Sequence, residues 1–105
     1  MALKSGFVAL APGGDPKKHR ASIKTPKLEI IAVVADSGNF DQVVEVCREL
    51  VQNEGVKSLN LCPGFSHEKV GRVANAIGRG IAINVARGDI PSSVKADELL
   101  KKEGF

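Results

Sequence analysis

The sequence predicts an α/β protein, one domain over residues 1–105, with a four-stranded parallel sheet and helical crossovers. Three observations carry that prediction. "SGFVALA" (5–11), "LEIIAVVA" (28–35), "SLNLC" (58–62) and "IAINVA" (81–86) are short apolar runs closed by turn residues, as strands are. Amphipathic stretches with apolar residues three and four apart lie between them. Strict alternation of the two periods means parallel strands joined by crossovers. The order 2-1-3-4 with helices on both faces is the first choice, and a one-sided order 1-2-3-4, half a barrel, is the rival.

The first crossover holds "DPKKHRASI", with Asp15 as cap and Pro16 at the first helical position. A short helix is predicted there, ending before Pro26. In "NFDQVVEVCRELVQNEG", Phe40, Val43, Val44, Cys47, Leu50 and Val51 share one stripe. Asn39 is its cap and Gly55 its left-handed exit. The next helix starts inside "LCPGFSHEKV" (61–70). Pro63-Gly64 turns the chain and Ser66 caps the helix, whose stripe is Val70, Val73, Ala74 and Ile77. Phe65 precedes the cap and Val70 is the fourth helical residue, the spacing of a hydrophobic staple. Glu68 suits the positive end of the helix dipole. "SSVKADELLKKEG" predicts a last helix capped by Ser93 or Asp97.

Composition narrows the function classes. Hydrophobic residues are 43% and charged residues 26% of the chain, the make-up of a globular protein rather than a disordered one. A net charge of +3, with four Phe and no Trp or Tyr, offers nucleic acid little to bind or stack on. The longest apolar run, "IIAVVA", is far short of a membrane span, and "GFVALA" is too short for a secretory core. Two cysteines make no disulfide framework, so a cytoplasmic protein with reduced thiols is expected.

Candidate chemistry gathers at the carboxyl ends of the strands, where open α/β sheets bind ligands. Those ends read "APGGDP", "ADSGN", "CPGFSH" and "ARGDIP". Gly13, Gly14 and Gly64 let backbone N–H groups approach a ligand, and Asp36, Ser37, Ser66, His67, Arg87 and Asp89 add polar groups. Arg20 joins the rim if the first helix is short. With Arg87 and helix starts converging, a small anion, phosphate or carboxylate, is the expected ligand class. Cys62 closes a strand beside a helix start, where nucleophilic cysteines occur, with His67 or His19 as the base. The bland alternative is a small buried Cys62 and a solvated His67. A phosphatase-type loop would need Arg where Glu68 stands. Cys62, His67 and His19 lack a metal-site spacing, and no dinucleotide fingerprint, P-loop or HExxH is present, so neither metal nor cofactor is predicted. Cys47 belongs to the core.

"FVALAPGGDPKKHR" followed by "LNLCPGFSHEKV" resembles a domain-of-unknown-function family of small microbial α/β proteins. Its signature is an A-P-G-x-D-P-x-K-H-R segment and a C-x-G-F turn. Matching positions are Ala11, Pro12, Gly13, Asp15, Pro16, Lys18, His19 and Arg20, then Cys62, Gly64 and Phe65. Pro63 stands where the pattern has a second glycine. The resemblance spans the first strand through the fourth. It implies the fold and marks His19, Arg20 and Cys62, but it implies no reaction.

The function expected first is therefore small-ligand binding on the carboxyl rim. An enzyme using Cys62 is the second reading, and a structural or interaction subunit the third. A homo-oligomer is expected as well. Ser58 and Asn60 share a face with Ala82 and Asn84, and a small, partly polar face is unusual for a buried parallel sheet. The alternative is that Val94, Leu99, Leu100 and Phe105 fold back to cover it.

Overall fold

The N-terminal apolar run becomes β1 (Leu3–Ala11), the central strand of a five-stranded sheet. The computed structural model describes residues 1–105. β2 (Arg20–Lys24) and β3 (Leu28–Asp36) follow, then α1 (Phe40–Gln52), β4 (Ser58–Leu61), α2 (His67–Ile77), β5 (Ala82–Val85) and α3 (Ile90–Lys102). The sheet runs β2-β3-β1-β4-β5, with β2 antiparallel to β3 and every other pair parallel. The expected four-stranded sheet is thus corrected to five strands, and the one-sided order does not occur. No helix is long and apolar enough to cross a membrane.

The fifth strand replaces the predicted first helix. Asp15 does start a turn, with the Lys18 and His19 N–H groups donating to its carbonyl and the Lys17 N–H to its carboxylate. One turn is all that forms, because Arg20–Lys24 finds the free edge of β3 in register with Glu29–Val33. Thr25-Pro26-Lys27 closes the hairpin, and the Thr25 hydroxyl accepts from Leu28 N–H. Pro26 has no N–H to lose at such a turn.

That replacement leaves one sheet face bare. The β3→β4 and β4→β5 crossovers step the same way across the sheet, so right-handedness puts α1 and α2 on one side. Only the β1→β3 connection steps the other way, and it carries β2 instead of a helix. The expectation of helices on both faces is therefore corrected. Val8, Ile31, Val33, Ala35, Leu59 and Leu61 point at α1 and α2 and are buried with Val43, Cys47, Leu50, Val73 and Ile77. Phe7, Ile30, Ala32, Ala82 and Asn84 point the other way, toward the open side of the sheet.

Both long crossover helices begin as the sequence predicts. The Gln42 N–H donates to the Asn39 side chain at α1 (3.2 Å), and the Lys69 N–H to Ser66 Oγ at α2 (3.2 Å). Gly55 and Gly78 take positive φ of 77° and 81° after those helices, where glycine alone is unstrained. α3 starts earlier than predicted. Its cap is Asp89, whose carboxylate accepts from Ser92 N–H (2.8 Å), and Pro91 sits in its first turn. Neither Ser93 nor Asp97 caps it, and Asp97 instead pairs with Lys101 one turn on (3.0 Å). The hydrogen bonds from Ser92 hold the Asp89 carboxyl below its usual range. α3 buries none of its residues, and Val94, Leu99, Leu100 and Phe105 stay exposed rather than folding back over the bare face.

Candidate functional site

β1 and β4 are neighbours whose outgoing connections leave in opposite directions, which makes the gap beyond their carboxyl ends the switch point of the sheet. Two loops flank it, 12–19 after β1 and 62–66 after β4. Cys62 lies between them. Its N–H donates to Val8 O, and its Sγ accepts the Leu10 N–H (3.4 Å). The thiol is half-buried against backbone rather than held in an open pocket. No hydrogen bond joins it to His67 or His19. Cys47 is a different case: fully buried on α1, its thiol is pushed up to about 12 by loss of solvent, so it stays a neutral core group.

The 62–66 loop is shaped by Arg87. From the end of β5 its Nη1 donates to Pro63 O (2.9 Å) and its Nη2 to Phe65 O. These two bonds leave further guanidinium N–H donors unused. Phe65 anchors the loop from below, fully buried and edge-on to Phe40 (centroids 6.0 Å apart). The pinned guanidinium and the start of α2 share a shallow cleft of about 580 Å³ lined by Gly64, Ser66, His67, Glu68 and Arg87. On its other side Arg87 borders a second depression of about 460 Å³, against Ser92, Ser93 and Leu100 of α3. Its field therefore reaches both hollows.

The 12–19 loop follows β1 and lines a separate depression. Gly13 has φ 76°. Gly14 lies so close to β3 that a Cβ there would sit 2.4 Å from Ala35 O. His19 closes the loop, its Nδ1 accepting Asp15 N–H (2.9 Å). The neutral ring therefore carries its proton on Nε2, and the lone pair a base needs is engaged. Gly13, Gly14 and His19 line a third depression of about 330 Å³ with Pro12 and Val34.

The remaining predicted residues stand apart. Arg20 turns toward α1 and pairs with Glu49 (3.2 Å) beside a cleft of about 560 Å³ that also presents Asp41 and Glu45. Glu49 offsets its charge, while Glu45 pairs with Arg48 and Asp41 with Arg72. Asp36 accepts Gly38 N–H (2.9 Å) to shape the β3–α1 turn, and the Ser37 N–H donates to Ala11 O. So Gly64, Ser66, His67 and Arg87 line one cleft next to Cys62 in the chain, Gly13, Gly14 and His19 line a separate depression, and Arg20 belongs elsewhere. The sequence reading missed the double grip of Arg87 on the loop carbonyls and the contribution of Ser92 and Ser93. Nothing local signals the first, because 22 and 24 residues separate the partners. The second follows from placing the start of α3 at Asp89. No group of three His, Cys, Asp or Glu side chains comes together to hold a metal ion.

A mostly parallel open sheet with glycine-bearing loops at its switch point defines an open-sheet α/β protein. Residues 3–101 match the model of a family described as a family of unknown function (DUF6506), and the chain belongs to that family. Comparison with curated proteins and with solved structures gives no match.

Proposed function

We propose that this protein binds a small anion, a phosphate or carboxylate, in the cleft between Arg87 and the start of α2, as a cytoplasmic protein with both thiols reduced. The observation that carries the reading is the pinned guanidinium. Its bonds to Pro63 O and Phe65 O fix a positive charge beside the free N–H groups of the first turn of α2. Two independent sources of positive potential thus face one cleft. Glu68 on the same cleft works against a highly charged ligand and favours one or two negative charges. Thermal unfolding with inorganic phosphate, phosphate monoesters and small carboxylates tests the reading. A ligand at a hundred times its Kd should add about 2.7 kcal/mol of stability. Amide NMR shifts should move at Ser66, His67 and Glu68, and Arg87→Lys should weaken the response. An unmoved midpoint across the panel would sink the anion site.

Cys62 supports a second reading, a nucleophile at the switch point. Its sulfur accepts the Leu10 N–H at the end of β4, and His67 is the nearer candidate base in sequence. Alkylation separates the two. A nucleophilic Cys62 should react with iodoacetamide near neutral pH much faster than a model thiol, with Cys47 protected by burial. Modification only after denaturation would leave Cys62 as packing.

A further inference from the structure

We propose that the bare face of the sheet docks a second copy of this chain, sheet against sheet about a two-fold axis. Parallel strands rarely leave a face to water, and here one whole face is uncovered. Leu3, Phe7, Ile23, Leu28 and Ile30 project from it on three adjacent strands, with Leu3 53% and Ile23 64% exposed. Ala21 and Ala32 lie directly opposite one another between them, so another flat surface can come close.

Three features select a second copy as the occupant. The first is area. A monomer of this mass should expose roughly 5,700 Å², and the chain exposes 6789 Å². The excess is about 1,100 Å², shared between this face and the unpacked α3, so two copies could bury up to about 2,200 Å² together, which reaches the range of obligate homodimers.

The second is charge. A two-fold interface brings a patch against itself, so like charges would face one another. The strands place Lys4, Arg20, Lys24 and Glu29 on the helix side, and only Asp36, at the end of β3 and bonded to Gly38, on the bare side. For a chain of net charge +3, this face is nearly neutral. The third is its polar half. Asn60 Nδ2 donates to Ser5 Oγ (3.0 Å), and Asn84 Nδ2 reaches Asn60 Oδ1 (3.4 Å), making a ladder across β1, β4 and β5. Amides and hydroxyls carry both donors and acceptors, so such a ladder can pair with its own copy.

α3 is the other exposed apolar element, but it offers no seam. Val94 and Leu99, five residues apart, fall about 140° apart around the helix axis.

Light scattering after size exclusion should give twice the chain mass of 11.1 kDa at micromolar concentration, with an unfolding midpoint that rises with protein concentration. Phe7→Glu with Ile30→Glu should halve the mass and leave the far-UV spectrum unchanged, since both side chains face solvent in a single chain. Ile23→Glu, on the edge strand, should also dissociate the dimer if the double variant fails to fold. A wild-type monomer at every concentration would overturn the proposal. So would a dimer that survives both sheet variants, or one that only Val94→Glu dissociates.

Discussion

Phe65→Ala is expected to cost about 3–5 kcal/mol of stability. Phe65 is fully buried and edge-on to Phe40, the first residue of α1, so it joins the starts of two helices. Two cations support the same junction. Lys69 lies 5.5 Å and Arg72 4.9 Å from the Phe40 ring centre, and Arg72 also pairs with Asp41 (2.8 Å). Removing the Phe65 ring opens a cavity beneath the loop that Arg87 grips. A domain of this size has only about 5–15 kcal/mol in hand, so the variant should be marginal at room temperature. Urea titration measures the loss, and Phe65→Leu should retain most of the stability. An unchanged midpoint for Phe65→Ala would mean that the ring is not packed between the helices.

Gly14→Ala is expected to cost on the order of 1–3 kcal/mol, as overpacking does, and to shift the 12–19 loop. The added Cβ would meet Ala35 O at 2.4 Å and Ala35 C at 2.6 Å. Both are backbone atoms of β3, which cannot swing aside as a side chain would. The loop must lift, and the Gly14 N–H bond to Ala11 O (3.1 Å) would lengthen with it. Amide shifts at Ala35 and Asp36 report that displacement alongside the unfolding midpoint. Gly71 provides the control. It lies within α2, and a Cβ added there would meet nothing within 4 Å. Gly71→Ala should therefore stabilise by about 0.4–1 kcal/mol through the unfolded chain. If both alanines act alike, the contact with Ala35 is not the reason for Gly14.

Local patterns settled most of the elements. The apolar runs located β1, β3, β4 and β5 to within two residues, because a strand that buries one or both faces must be apolar where it packs. Asn39 and Ser66 announced their helices, since an N-cap is a bond between residues three apart. Phe65, ahead of its cap, already pointed to a buried anchor. The glycine-bearing rim was legible for the same reason: parallel strands all end on one side.

Arg20–Lys24 shows where local reading stops. Asp15 and Pro16 favour a helix start, and R-A-S-I-K alternates weakly enough to suit either state. The open edge of β3, a tertiary partner, decided for a strand. The bare face followed from that one decision, because no other crossover could place a helix there. Arg87 was a candidate ligand from sequence, but its hold on Pro63 O and Phe65 O depends on β5 lying beside β4. The sequence by itself determined which segments pack and where turns and caps fall, since those depend on neighbours within a few residues. Only the tertiary structure decided which edge is paired, which face is open and which arginine is aimed at the crevice, because those depend on residues that meet only after the chain has folded.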